Sequence, residues 1–242
     1  MPSKNLGRRE VLVVLGAGLG AALAGCSNSP TSPDGTATGG AASGGTSSAA
    51  CAVIPSETEG PYPDVTGMIS NPAFFRRDVT EGKPGVPLTL TLTLVNASSG
   101  CSPLSGYNIE IWQCDASGGY SEYSQPGFNG AGQTFLRGVQ TTDVNGQATF
   151  NTIYPGWYQG RATHVHVDVF RGTTLVKTTQ IAFPEDVTRT VYATGVYAAK
   201  GQSPTSNSSD MVFADGVQNE LATVSGSTTS GYTATLRIGI AA

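Results

Sequence analysis

His164 and His166 are the only two histidines in the 242-residue chain, and a single residue separates them. On a β-strand, positions i and i+2 project to the same face, so both imidazoles point one way. Paired imidazoles are a common start of a transition-metal site. A bare His-x-His also serves as a hydrogen-bonding pair on a sheet surface, so its surroundings must decide between the two. Upstream runs Tyr154-Pro155-Gly156-Trp157-Tyr158-Gln159-Gly160-Arg161-Ala162-Thr163-His164-Val165-His166. Earlier come Thr58-Glu59-Gly60-Pro61-Tyr62 and the stretch from Ile109 through Trp112, Cys114 and Asp115 to Gly119-Tyr120-Ser121. Later comes Thr179-Gln180-Ile181-Ala182-Phe183.

Taken together and in this order, these segments resemble the intradiol ring-cleavage dioxygenases, and most of all their short secreted members. The resemblance covers residues 51–242. Gly-x-Tyr-Ser, Pro-Gly-x-Tyr and Arg-x-x-His-x-His each say little alone; their conjunction is specific. Carried over position by position, the resemblance implies that Tyr120, Tyr158, His164 and His166 hold one non-haem Fe(III) per chain. Phenolate is a hard anionic donor that favours ferric over ferrous iron, which suits activation of the organic substrate. The resemblance further implies that a catechol binds as its dianion, displacing Tyr158, which doubles as a base. Ring cleavage by O2 between the two hydroxyl-bearing carbons would give a cis,cis-muconate. Arg161 matches an arginine facing the substrate ring, where a fixed guanidinium would stabilise developing negative charge. Gln180 matches a glutamine beside the same site, and Tyr62 is expected at the pocket rim. Tyr123, three residues after Tyr120, is the rival ligand, but Gly119-Tyr120-Ser121 fits the pattern better. In one departure, only five residues separate Tyr158 from His164, fewer than in the protocatechuate enzymes. A shallower, more open site is expected.

A second resemblance belongs to another class. Pro103–Tyr107, Thr141–Phe150 and Pro155–Tyr158 are similar to non-catalytic β-sandwich modules that accompany carboxypeptidases and surface receptors. Such a binding or spacer module has no need of His-x-His, of the arginine three residues earlier, or of Gly-x-Tyr-Ser. All three are present here. A zinc or copper site is disfavoured, because tyrosinates are poor ligands for a structural site of either metal.

The elements that must position these residues read as strands. Residues 88–95 alternate leucine with threonine, as a half-buried strand does. Further strands are expected at 107–112, 138–142, 147–152, 164–170, 174–182 and 233–240. Residues 96–106 read as the loop of a hairpin joining the first two. Asp143-Val144-Asn145-Gly146 reads as a turn. Only 187–199 has any helical periodicity, kept short by Pro184 and Gly195. The expectation is all-β: an antiparallel β-sandwich with long active-site loops and little helix.

Composition agrees. There are 32 Gly and 14 Pro and only 12% charged residues, which argues against a helical bundle. Thirteen Lys+Arg against 17 Asp+Glu give a net charge of −4. With no basic cluster in the body of the chain, nucleic-acid binding is not expected. The oligomeric state is open, and a homo-oligomer is compatible with the sequence. Three cysteines follow Cys26, and an exported chain favours one disulfide. Separated along the expected hairpin, Cys101 and Cys114 should not pair. Cys51 is left with either of them, with a lean to Cys114 because both adjoin site segments.

The N-terminus reads as an address. Lys4, Arg8 and Arg9 precede an apolar stretch from Val11 to Leu23, which is too short to span a bilayer. The paired arginines resemble a twin-arginine export signal, and Leu23-Ala24-Gly25-Cys26 resembles a lipobox. Residues 1–25 are thus expected to be a signal peptide, with Cys26 lipidated. Residues 26–50 form a Gly/Ser/Thr/Ala tether, and 27–50, as a coil, would reach on the order of 27 Å. This would put the domain outside the cytoplasm, with a lipid anchor as its only membrane contact. Replacing Cys26 by Ser is expected to release the protein from membranes without changing the folded domain's activity. A soluble wild-type protein whose mature N-terminus lies elsewhere would refute the anchor.

Overall fold

The computed structural model describes residues 51–242; the expected signal peptide, Cys26 and the expected tether lie outside the described residues. The chain runs through β1 (Pro87–Asn96), β2 (Ser102–Pro103), β3 (Asn108–Trp112), β4 (Ser124–Gln125) and β5 (Phe128–Asn129). It continues through β6 (Arg137–Thr141), β7 (Gln147–Ile153), β8 (His164–Arg171) and β9 (Thr174–Ala182). Helix α1 (Glu185–Tyr192) follows, then β10 (Thr223–Ser227) and β11 (Gly231–Ile240).

Alternation in β1 sets up the core. Leu88, Leu90, Leu92 and Leu94 are fully buried, while the intervening threonines are only partly covered. Each buried leucine contributes roughly 1.5–3 kcal/mol relative to exposure. The leucines join Phe150 of β7 and Ile238 of β11 in one apolar cluster, together with Ile109, Ile111, Val165, Val167, Val169 and Ile181. The first sheet carries β10, β11 and β1, with β7 and β2 both pairing with β1; the second runs β6-β3-β8-β9. The apolar cluster lies between these two layers of the sandwich.

Two strand expectations need correction. β1 and β3 do not form a hairpin: residues 97–101 turn back into β2, which pairs with β1, and the chain crosses to the other sheet only after it. The pattern that identifies a strand says nothing about its partner. The sandwich is also not wholly antiparallel, because β1 and β11 pair in parallel from Leu88↔Tyr232 to Asn96↔Ile240. The turn at residues 143–146 likewise connects the sheets, with Asp143 Oδ1 accepting from the amides of Asn145 and Gln147. The helix begins directly after Pro184 and ends before Gly195, earlier at both ends than the expected 187–199.

What lies over the second sheet positions the site. Residues 57–76 run along its outer face: Glu57 N–H donates to Thr178 O at 3.1 Å, and Met68 and Phe74 pack on Val139. A disulfide joins Cys51 at the start of this cover to Cys101, with Cα atoms 5.5 Å apart. Cys114 is free and buried. Cys101 and Cys114 therefore do stay apart, but the lean to Cys51–Cys114 was wrong. Cys101 sits in the turn between β1 and β2, its N–H donating to Asn96 O beside the end of β11, and the start of the described chain meets the same strand end, with Ile54 N–H donating to Gly239 O. Cys114 points among Trp112 and Tyr120. Non-reducing peptide mapping is expected to recover Cys51 linked to Cys101 and a free Cys114. Cys101→Ser should lower unfolding free energy by about 2–4 kcal/mol in urea titration. A Cys51–Cys114 peptide would overturn this pairing.

Candidate metal centre

β8 is buried on both faces, with Val165, Val167 and Val169 turned into the sandwich. By the period of two, His164 and His166 turn the other way. Their Nε2 atoms lie 3.1 Å apart. His164 Nδ1 lies 2.7 Å from Ala162 O, and a carbonyl can only accept, so Nδ1 carries the proton. The Nε2 lone pair is therefore free for a metal, the tautomer that ligating histidines commonly use. Burial, the largest cause, together with the nearby Arg161 charge, holds the His164 pKa down at about 3. Burial and the neighbouring His164 hold His166 well below the usual imidazole value. Both rings are neutral at pH 7, as a ligand must be.

Register builds the rest of the row. Trp112 of β3 and Gln180 of β9 both sit opposite His166. The Trp112 indole stacks on the His166 ring at 4.7 Å, 3° from parallel, and fixes its plane. Tyr120 arrives from the loop after β3. Asp115 shapes that loop, its Oδ1 accepting from the amides of Ser117 and Gly119 and from the Ser117 hydroxyl. Tyr158 arrives from the Pro155-Gly156-Trp157 segment, which lies against the same loop. A Cβ on Gly156 would meet Asp115 O at 2.1 Å, so only glycine allows this approach.

The ring centroids of Tyr120 and Tyr158 are 5.6 Å apart, Tyr158 is 5.5 Å from His164, and Tyr120 is 6.2 Å from His166. Tyr120 is completely buried and its hydroxyl has no hydrogen-bond partner. An orphaned phenol is costly unless something takes its lone pairs. Burial pushes the Tyr158 phenol up to about 12 against the lowering pull of Arg161, and raises Tyr120 well above its usual value. The residues present fit a metal ion: two neutral imidazoles, two phenols and an unsatisfied oxygen among them. A bound cation would reverse the phenol shifts by favouring phenolate.

Tyr62 stacks on Tyr120 at 4.7 Å and meets Tyr158 edge-on at 5.6 Å. Tyr62 and Tyr158 are the partly exposed members of this group; they border a surface pocket with Gly118, Gly119, Gln125, Phe128 and Lys200. Tyr123 stands apart from the histidines, donating to Pro63 O at 2.9 Å. Gly60 closes the other side with φ +70°; a Cβ there would lie 3.0 Å from His166 Cε1 and 3.8 Å from the Tyr158 hydroxyl.

Arg161 is held at each nitrogen. Its Nε donates to both oxygens of Asp210 at 3.0 and 2.9 Å, and a terminal nitrogen donates to Gln180 Oε1 at 2.5 Å. The other terminal nitrogen points to the Tyr158 hydroxyl at 3.4 Å. Gln180 in turn donates to Thr58 O at 2.7 Å. Asp210 and Arg137 escaped the sequence reading. Arg137 is fully buried, donating to Ser121 and to the Tyr62 carbonyl, so it fixes the rim and the Tyr120 loop together. Asp210 lies 49 residues from Arg161 in a serine-rich stretch, and no spacing signals it.

A two-sheet sandwich with two tyrosines and two histidines converging on one face defines a candidate non-haem metal protein. The family model described as Dioxygenase matches residues 59–203. The chain belongs to the intradiol ring-cleavage dioxygenase family. It is similar to an intradiol ring-cleavage dioxygenase from Tetranychus urticae, at 28% identity and TM-score 0.70 over 78% of this chain and 95% of that one. It is also similar to the dioxygenase domain of a dioxygenase–carbohydrate-binding protein fusion from Streptomyces sp. SirexAA-E. There the identity is 28% and the TM-score 0.57, over 78% of this chain and 98% of that one. A 3-chlorocatechol 1,2-dioxygenase from Rhodococcus opacus 1CP shares the fold at 20% identity and TM-score 0.52, over 76% and 71%. No curated protein matches the chain closely enough to count. The spacer-module alternative is not favoured by these matches.

Asp210 is the sole carboxylate paired with the buried Arg161 among the described residues. Asp210→Ala is therefore expected to cost about 3–5 kcal/mol in denaturant unfolding, the usual result of stranding a buried charge. A cost below about 1 kcal/mol, the range of exposed pairs, would show that water reaches the guanidinium.

Proposed function

We propose that the protein is a ferric, non-haem dioxygenase that opens catechol-type rings between the two hydroxyl-bearing carbons. One C–C bond breaks and both atoms of O2 enter the product, giving a cis,cis-muconate. The observation that carries this reading is the buried, partnerless Tyr120 hydroxyl beside two neutral imidazoles and a second phenol. Tyr120, Tyr158, His164 and His166 would hold the iron. When bound, ferric iron would supply Lewis acidity that favours the catechol dianion and polarises its ring.

The chain's own groups account for protons and charge. Tyr158 is the half-exposed phenol of the pair, so it is the one a substrate can displace. Once free of a cation, its oxygen takes up a substrate proton and keeps it, because burial holds its pKa at about 12. Arg161, with Nε and one terminal nitrogen already committed, keeps its remaining terminal nitrogen toward that same oxygen. It is placed to stabilise negative charge developing beside Tyr158 without reorganising. Gln180 and Asp210 hold the guanidinium, while Tyr62 and Lys200 border the approach. The resemblance of Arg8-Arg9 to a twin-arginine signal and of Leu23–Cys26 to a lipobox supports a location outside the cytoplasm on a lipid anchor, where catechols would arrive from the surroundings.

The iron-loaded protein is expected to be red to burgundy from tyrosinate-to-ferric charge transfer, with a high-spin ferric resonance. A protein that stays colourless after iron loading under air would end this reading. Tyr120→Phe should lose or weaken iron, whereas Tyr158→Phe should retain it and turn over slowly. Wild-type turnover in Tyr158→Phe would remove its role as the displaced ligand. Arg161→Lys should keep iron, colour and the spectral change on adding catechol, yet lose about 10²–10³ in oxygen consumption. Loss of iron in that variant would make the arginine a support of the metal site only.

A further inference from the structure

On the far side of Gln180 from the histidines, the cover segment and the loop before β10 bring three carboxylates together. Glu57, Asp215 and Glu220 offer oxygens that all lie within 4.8 Å of one another. We propose that these three residues form a second metal site, for a hard divalent cation of the calcium class. The spacing suits it. Calcium binds oxygens at 2.3–2.6 Å, so any two ligands of one ion lie within about 5 Å.

Glu220 supplies the reason to expect a ligand. It is completely buried, and its Oε2 has no hydrogen-bond partner, while Oε1 receives only the Thr179 hydroxyl at 3.3 Å. Its backbone is pinned, with the carbonyl accepting from Ala182 N–H at 2.9 Å and the amide donating to Val217 O. Among the described residues, no lysine or arginine forms an ion pair with any of the three. Lys177 is nearby, but its ammonium donates to Ser56 Oγ at 2.8 Å. Burial and the neighbouring acids raise the pKa of Glu220 to about 8, the mark of a carboxyl group lacking a counter-charge. Asp215 is exposed, so water can complete the coordination from that side. Three carboxylates and waters suit calcium better than magnesium, which demands a tighter octahedron and keeps its own water.

The site would tie down what holds the arginine. Glu57 precedes Thr58, whose carbonyl anchors Gln180, and Asp215 follows five residues after Asp210 in the segment that clamps Arg161. A cation here would link the cover segment to that loop. The proposal stands independently of the ring-cleavage reading.

The test is calorimetric titration of CaCl2, and separately MgCl2, into the intact chain with its tyrosine–histidine centre already loaded with ferric iron. A single saturable calcium site per chain is expected, with a rise in melting temperature and weaker binding of magnesium. Asp215→Asn, at an exposed position, and the near-isosteric Glu220→Gln should each weaken calcium at least about tenfold. Glu185→Gln, on the exposed side of α1, should not. Absence of saturable binding at millimolar calcium would overturn the site, as would binding unchanged in Asp215→Asn. Magnesium binding as tightly as calcium would overturn the calcium assignment. The visible ferric band, read in the same samples, reports the tyrosine–histidine centre separately, so the two readings fail independently.

Discussion

The double burial of β8 is the constraint on which the site depends. Its odd-numbered valines belong to the sandwich core, so the pleat forces His164, His166 and Asp168 onto the opposite face. That face would ordinarily meet water, but residues 57–76 cover it. Polar groups taken out of water there must find partners or give up charge. Glu110 shows the second outcome, burial pushing its pKa up to about 8, while Asp168 opposite it in register is raised only to about 6 and stays hydrogen-bonded by Thr178. The imidazoles show it too, held neutral by the same burial. The environment that suppresses protonation leaves nitrogen lone pairs free.

Cover and sheet are fastened at a few points, and those points also orient the reactive groups. Arg137 reaches the Tyr62 carbonyl and Ser121, so one buried guanidinium sets both the rim and the Tyr120 loop. Thr58 O fixes Gln180, and the Cys51–Cys101 disulfide secures the start of the cover to the turn after β1. Such fastening limits the freedom of the cover segment, which suits a centre whose donors come from separate segments.

Legibility in the sequence followed the range of the interaction. β8 and the His164–His166 pair were readable because the pleat is a local property with a period of two. The strands came out close to their observed bounds for the same reason. Partner choice was not readable: 96–106 looks like a single hairpin loop by composition, yet it holds the short β2, paired back on β1, before the chain crosses between sheets. The disulfide lean failed with it, since Cys101 lies in the β1–β2 turn, next to the strand end that the start of the described chain meets. Tyr120 and Tyr158 were legible only through the conjunction of motifs, because a lone tyrosine beside glycine has no chemical signature. Asp210 and Arg137 carried no signal, as their partners lie far away in sequence and an acid in a serine-rich loop looks solvated.

The Asp210–Arg161 pair also decides what kind of donor the site possesses. A buried carboxylate balances part of its charge, but Arg161 still pulls the His164 and Tyr158 pKa values down, and its direction is fixed at three nitrogens. A lysine could replace the charge but could not bond Asp210, Gln180 and the space beside Tyr158 at once, because an ammonium is a point charge on a flexible stem. What the arrangement preserves is therefore a single oriented N–H aimed at the Tyr158 oxygen. An oriented donor already in place stabilises charge that develops nearby in a reaction without having to reorganise. In the proposed ring cleavage, that would assign the arginine to turnover more than to substrate affinity, with the carboxylate behind it holding its direction.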